Sequence, residues 1–466
     1  MLRRVSMYML LLMVLTYSCQ QQAQAAVEPT PITSLPDENW QLSYFNEPVF
    51  NSEVAVLEAG DRINPPIILI HGLGQLGMKD WFSVIPTLAK NYRVIAMDLP
   101  GFALSSGSRG RFLPTNYAHV IDAISKKYTN RKSIVIGHSM GGAIALRYTE
   151  LYENSVEQLI LVDAAGLLEK SAFIKHIASF EFGDYIPAPI QKLIDGANKF
   201  SSSMIEVTTK SSLLTDFLQN NDYAWNLLVS DSNNMNAALS LVEEDFSQAV
   251  SQISLPVNII WGDEDNVAPI RTGKVLYKQM RNARLQVIQG AAHVPMKSHN
   301  VEFMRALEIA LNQPITDKYT LPNTGENQGV LNCKGLRNKT YSGHYDEIVM
   351  DDCDNIKLIN ISADSFKFID SVVNIENLSF ANKDNQIEFK GSVATITNAN
   401  ISGHNVMLIS GSRLDMAGVS IKSTGDAVMV ANKSRISVSL SDISSPQYTG
   451  IVHGIFYPKN QRLIGQ

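Results

Sequence analysis

The sequence predicts an α/β chain with a doubly wound parallel sheet and a helical insertion, followed by a separate all-β region. Three observations carry this reading. From Trp40 to about Ala310, short β-branched runs alternate with helix-like stretches, as βαβ units require. The alternation breaks between Leu167 and Ile253, where helical patterns follow one another with no convincing strand. After Thr316 aromatic residues and helical patterns thin out, and Asn, Ser, Ile and Val take over in short runs.

A chain of 466 residues is too long for one ordinary domain. A hydrophobic share of 45% supplies a packed core, and a charged share of only 18% argues against disorder. The net charge of -6 gives no reason to expect a nucleic-acid partner. At the N-terminus Arg3 and Arg4 precede an apolar run from Met7 to Tyr17. That run is too short to span a bilayer as a stable helix but suits the core of a signal peptide. Residues 1–26 are read as that peptide, with Ala23-Gln24-Ala25 and then Ala26 as a small-residue cleavage site. A second exit lies upstream. Leu15-Thr16-Tyr17-Ser18-Cys19 resembles a bacterial lipobox, which would end the signal at residue 18 and place a lipid on Cys19. Either exit predicts export, to the bacterial cell envelope or beyond, and the second would add a membrane anchor.

Residues 27–39 form a Pro-containing polar linker, and residues 40–312 an α/β domain. Its expected strands are Ile67-Ile68-Leu69-Ile70, Tyr92 to Met97, Ser133 to Ile136, Leu159 to Val162, Val257 to Trp261 and Leu285 to Ile288. The insertion at about 167–253 reads as a cap over the site. It carries Met204, Ile205, Leu213, Leu214, Phe217 and Trp225, suited either to an apolar pocket or merely to packing the cap. A linker at 313–328 leads to a β-rich domain at 329–457, whose short strands and polar punctuation fit a parallel β-helix or, alternatively, a sandwich.

Gly137-His138-Ser139-Met140-Gly141 sits between the strand ending at Ile136 and a helical run. A serine on such a tight strand-to-helix turn has a strained backbone and a hydroxyl raised above the sheet. The N–H of Met140 would lie at a helix N-terminus, aimed where an oxyanion forms. His71-Gly72-Leu73-Gly74 follows another strand and offers the Leu73 N–H as a second donor. Serine needs a base. After the strand ending at Trp261 comes Gly262-Asp263-Glu264-Asp265, and after the strand ending at Ile288 comes His293. Both lie just past strand C-termini, where open α/β sheets place their sites. Asp265 is the expected acid and His293 the expected base, with Asp263 and His299 as the alternatives. No Cys, His or Asp cluster has metal-ligand spacing, and no cofactor is implied.

On these residues the region from about Trp40 to Ala310 resembles the α/β-hydrolase superfamily, in its capped branch of esterases, lipases and carbon–carbon bond hydrolases. The motifs are His71 to Gly74, Asp98-Leu99-Pro100-Gly101, Gly137 to Gly142, Trp261 to Pro269 and Gly290 to His293. The resemblance implies Ser139 as nucleophile, Asp265 as acid and His293 as base. Ala103 departs from it, standing where many members carry glycine, and the chain from Thr316 onward has no counterpart in the family.

A serine nucleophile disfavours epoxide opening and halide displacement, which use a carboxylate there. The expected activity is hydrolysis of carboxylic esters, of small molecules or lipids, through an acyl-serine intermediate. Two alternatives stand: another chemistry of the same fold (carbon–carbon hydrolase, haloperoxidase or acyltransferase), or a surface-binding protein acting through its β-rich tail on a surface or carbohydrate ligand. Cys333 and Cys353 stand about one coil apart for a solenoid, within reach of a disulfide that export would permit.

Overall fold

The computed structural model describes residues 35–107, 110–168, 221, 225, 229, 232–316, 318–456 and 461–463. The Cys19 and signal-peptide expectations lie outside these residues, as does most of the expected cap, including Met204, Ile205, Leu213, Leu214 and Phe217.

The first sheet has eight strands: β1 (Gln41–Glu47), β2 (Ser52–Ala59), β3 (Pro66–Ile70), β4 (Arg93–Met97), β5 (Ser133–His138), β6 (Val156–Val162), β7 (Val257–Gly262) and β8 (Ala283–Ile288). Their order is β1-β2-β4-β3-β5-β6-β7-β8. The pairings from β4 through β3 and β5 to β8 are parallel. β1 pairs antiparallel with β2, and β2 antiparallel with β4. This edge pair is absent from the six runs expected of the parallel sheet. Its signal is the run Val54-Ala55-Val56-Leu57, buried on both faces. The inner strands β3, β5 and β7 are buried throughout because helices cover both faces.

The helices used below are α1 (Pro114–Tyr128), α2 (Met140–Leu151), α3 (Asn233–Leu241), α4 (Ser247–Gln252), α5 (Arg271–Gln279) and α6 (Asn300–Asn312). α2 starts directly after Ser139 and is buried along Ala143, Ile144, Ala145 and Leu146. Three glycines allow it to sit tightly on the sheet. A Cβ on Gly137 would lie 2.1 Å from the Gly141 carbonyl oxygen. One on Gly141 would lie 2.4 Å from those of Ile70 and His71, and one on Gly142 2.5 Å from Ala164 Cβ. α3 and α4 lie inside the span expected of the cap, and Trp225 is buried there with the Arg111 guanidinium 4.5 Å from its ring.

The C-terminal region is a second sheet of twelve strands. These are β9 (Val330–Lys334), β10 (Thr340–Asp351), β11 (Ile356–Ile369), β12 (Val372–Asn382), β13 (Ile387–Lys390), β14 (Val393–Gly403), β15 (Met407–Ser410), β16 (Arg413–Ser423), β17 (Val428–Val430), β18 (Arg435–Ser444), β19 (Thr449–Phe456) and β20 (Gln461–Leu463). Strands pair in parallel in two series. In one, Val372 faces Val393, Val393 faces Arg413 and Arg413 faces Arg435. In the other, Phe366 faces Ile387, Ile387 faces Met407 and Met407 faces Val428. Antiparallel strands β19 and β20 close the far end. Inward residues form a core of their own, in which Phe366, Phe368 and Phe389 stack in sequence.

This sheet is joined to the α/β part through α5. Arg271 holds the Asp415 carboxylate with both terminal nitrogens, at 2.8 and 3.0 Å, and donates to Thr397 Oγ1 at 2.9 Å. Lys274 reaches Glu376 at 2.6 Å, and Lys278 donates to the carbonyls of Ala399 and Gly418 at 2.7 and 2.6 Å. Ala417 and Leu440 belong to the same buried cluster as Val275 and Leu276 of α5.

Candidate active site

Ser139 occupies the turn between β5 and α2 with φ 54° and ψ -121°, a conformation that L residues rarely adopt. Two bonds to its carbonyl oxygen, from Gly142 at 2.9 Å and Ala165 at 3.0 Å, and one from its own N–H to Val162 at 3.0 Å hold the turn. The surrounding structure thus over-determines a strained residue. The Met140 N–H opens α2 beside it. A Cβ on Gly72 would come 2.9 Å from Ser139 Cβ, so the turn carrying Leu73 is closely packed on the serine.

His293 follows β8 and faces Ser139. Its Nε2 lies 2.8 Å from Ser139 Oγ, and its Nδ1 lies 2.8 Å from Asp265 Oδ2. A carboxylate accepts, so Nδ1 carries a proton and Nε2 is left to accept from the serine hydroxyl. The Asp265 side chain is wholly buried and that of His293 nearly so. Asp265 Oδ1 accepts the N–H groups of Val267 at 2.7 Å and Ala268 at 3.0 Å. The three side chains expected from sequence as nucleophile, base and acid are therefore brought into one line of hydrogen bonds. The alternatives have other partners. Asp263 Oδ1 accepts the Gly290 N–H at 2.6 Å, fixing the turn before His293, and His299 Nδ1 meets Ser298 Oγ at 3.0 Å.

Three more groups shape the site. His71 Nε2 accepts the Leu99 N–H at 2.9 Å, so its Nδ1 carries the proton and donates to Gly72 O at 2.7 Å, bracing the turn before Leu73. His138 donates from Nε2 to the His293 carbonyl at 2.7 Å; burial, and then the nearby His293, push it down to about 4, so it is neutral near pH 7. Asp163, at the C-terminal end of β6, is fully buried and accepts the Gly262 N–H at 2.9 Å. Burial, and then the charge of Asp265, hold its carboxyl well above the usual carboxylate range. The run Leu161-Val162-Asp163-Ala164 reads in sequence as a strand end, so only the folded chain reveals this second carboxyl behind Asp265.

Asp98 takes the N–H groups of Met78 at 2.6 Å and Leu104 at 3.0 Å and so fixes the loop after β4. Ala103 in that loop stands at φ 44°, the left-handed region that glycine adopts without strain. Among the described residues no group of three or more His, Cys, Asp or Glu is placed to hold a metal ion. Cys333 and Cys353 form a disulfide at a Cα separation of 6.5 Å.

The strand order, with Ser139 on the turn after β5 and with Asp265 and His293 following β7 and β8, is that of an α/β-hydrolase fold. A family model described as alpha/beta hydrolase fold matches residues 65–299, and the chain belongs to that family. Among curated relatives, a 2-hydroxy-6-oxo-6-(2'-aminophenyl)hexa-2,4-dienoic acid hydrolase of Metapseudomonas resinovorans is 26% identical over 264 residues, covering 54% of this chain and 86% of its own. Lipase 1 of Psychrobacter immobilis is 26% identical over 249 residues, covering 51% and 74%. A solved structure of a thermophilic esterase from Thermogutta terrifontis aligns with 59% of this chain and 100% of its own, at 19% identity and a TM-score of 0.45.

Proposed function

We propose that this chain is an exported serine hydrolase that cleaves carboxylic esters through an acyl-enzyme. The observation that carries the reading is the unbroken line from Ser139 Oγ through His293 to Asp265, with both separations at 2.8 Å. His293 Nε2 takes the serine proton as Oγ attacks the ester carbon. The Asp265 carboxylate fixes the imidazole and stabilises its cation. The N–H groups of Leu73 and Met140 receive the developing oxyanion, each worth about 3 kcal/mol by comparison with other hydrolases. His293 then protonates the leaving alcohol. Water, deprotonated by the same nitrogen, releases the acid. The resemblance to Lipase 1 supports an ester substrate. The resemblance to a dienoic acid hydrolase supports carbon–carbon cleavage as the second reading.

The test is a panel of 4-nitrophenyl esters graded by acyl length, run on the full chain and on Ser139→Ala. The wild type should turn over at least one ester and the variant should lose at least about a thousandfold in kcat. A Ser139→Ala chain keeping more than about a tenth of the rate refutes the assignment. A wild type inert to every ester but active on a vinylogous diketone would favour the second reading.

The strand-rich C-terminal region reads as a short parallel β-helix. Parallel pairing at a near-constant interval supports this, and so do its corners. Ser371 Oγ accepts the Cys353 N–H, Ser392 that of Ser371, Ser412 that of Ser392 and Ser434 that of Ser412, at intervals of 18, 21, 20 and 22 residues. At another corner Asn360, Asn377, Asn398, Gly418 and Leu440 all take positive φ. Export is supported by the apolar run Met7 to Tyr17 and by the Cys333–Cys353 bond, which suits an oxidising compartment. Mass spectrometry of the mature N-terminus distinguishes a lipid-modified Cys19 from a chain beginning near Ala26.

A further inference from the structure

The carboxyl of Asp163 poses a problem that the hydrolytic line does not use. Its side chain is wholly buried, and its backbone stands at φ 44°, in the left-handed region that Asp and Asn tolerate better than most residues. Oδ1 accepts one N–H, that of Gly262. Oδ2 is buried and has no hydrogen-bond partner if it can only accept. The Gly262 carbonyl in turn accepts the Asp265 N–H at 3.4 Å, so Asp163 holds the residue that opens the turn bearing Asp265, and the Asp265 carboxyl is the ionisable group that acts on it. Beyond Asp265 stand His293 and His138.

Two carboxylates in contact inside a protein cannot both hold a negative charge. The donors decide which keeps it. Asp265 receives three, from Val267, Ala268 and His293, whereas Asp163 receives one. The charge therefore stays on Asp265 and the proton on Asp163. That proton also removes the orphan: an O–H at Oδ2 finds its acceptor in the Asp265 carboxylate.

We propose that Asp163 is a positioning residue for the hydrolytic site, a neutral carboxylic acid that donates its O–H to the Asp265 carboxylate. The proposal rests on the reading of Ser139, His293 and Asp265 given above. The added donor fixes the plane of the Asp265 carboxylate, already held by two backbone N–H groups, and so fixes the imidazole. With the carboxylate held in that plane, the imidazole that takes the serine proton keeps its Asp265 partner in line through the transition state. An ionised Asp163 would do the opposite, adding a second negative charge behind the histidine.

Asp163→Asn separates the two. The amide keeps the carbonyl for Gly262 N–H and offers N–H to Asp265, at unchanged charge if Asp163 is neutral. We expect kcat on the best ester within about threefold of wild type and the acid limb of the kcat/KM profile within about 0.3 pH unit. Asp163→Ala lacks the donor and should lose about 10- to 100-fold in kcat with KM within about twofold. Difference infrared spectra, wild type minus Asp163→Asn near pH 7, should show the carbonyl stretch of a protonated carboxylic acid. This measurement needs neither turnover nor a folded Ala variant. Absence of the band overturns the proposal. So does an acid limb that falls by more than about 0.5 pH unit in Asp163→Asn, because that loss of charge would lower the affinity of His293 for its proton. Labelling of Ser139 by a fluorophosphonate in the wild type, run alongside, tests the underlying site. An unlabelled serine with the band present removes the hydrolytic reading, and the positioning role with it.

Discussion

Replacing Asp265 by asparagine tests the site most sharply, because the structure says which way the new amide turns. The carboxylate makes three hydrogen bonds, two through Oδ1 to the Val267 and Ala268 N–H groups and one through Oδ2 to His293. Asparagine has a single oxygen to share. Turned toward His293, its NH2 would face two backbone N–H groups, leaving two buried donors unpaired at about 1–3 kcal/mol each. Turned toward the backbone, the oxygen keeps both bonds and the NH2 faces His293 Nδ1. The second arrangement wins, because it leaves neither backbone donor unpaired. Nδ1 must then accept, Nε2 carries the proton, and the nitrogen facing Ser139 can no longer act as a base. The same tautomer reversal in other serine hydrolases costs about 10⁴ in kcat, or about 5 kcal/mol of barrier. Steady-state hydrolysis of the best 4-nitrophenyl ester measures it, with Asp263→Asn as the control. The Asp263 variant keeps its acceptor for Gly290 and should stay within about threefold. A loss below tenfold for Asp265→Asn, or an equal loss in the control, would refute the reasoning.

Gly141→Ala brings a Cβ to 2.4 Å from the Ile70 and His71 carbonyl oxygens. The strand end must shift, with a lower Tm and a lower kcat expected together, at a stability cost of about 1–3 kcal/mol. Burial pushes Lys278 down to about 8 from 10.5, while Asp442 is raised by its own burial, so desolvation outweighs their attraction. Between about pH 8 and 10.5 the unfolded chain therefore holds a proton that the native chain has lost, and native stability rises with pH. Denaturant unfolding should show wild type gaining on Lys278→Met across that window by on the order of 1–3 kcal/mol, and a flat difference counts against this. Removing the Cys333–Cys353 bond, which closes a sequence separation of 20, with a Cys333→Ser and Cys353→Ser pair should cost about 3 kcal/mol by urea unfolding, with reductant changing only the wild type.

The α/β part was legible because its inner strands are buried on both faces and the candidate site residues follow strand ends. Runs such as Ile67 to Ile70 and Val257 to Trp261 have no polar alternation to confuse them, and Ser139, Asp265 and His293 each follow one of them. Asp163 also ends a strand, but nothing in Leu161-Val162-Asp163 tells that its carboxyl meets another one 102 residues on in the sequence. The antiparallel edge was missed because Gln41–Glu47 mixes exposed and half-buried residues without clean alternation. In the C-terminal region the short strands were visible as runs of Ile and Val between polar residues. The corner columns were not, because their interval varies from 18 to 22 residues, although Ser371, Ser392 and Ser412 each follow an Asp or Gly at positive φ. That pairing of a left-handed residue with a serine is the signal that a search by fixed period passes over.

Helix α5 leaves the chain without a clean place to be cut. It begins six residues after Asp265, packs Leu276 and Val275 into the hydrolase core, and spends its cations on Asp415, Glu376 and the carbonyls of Ala399 and Gly418. A chain ending at Asn312 would bare Val275 and lose Ala417 and Leu440 from a cluster that reaches to Trp261. The two sequence regions are thus one thermodynamic body: they should melt in a single transition, and drift in sequence on the β-rich side of this contact is constrained by what α5 must hold.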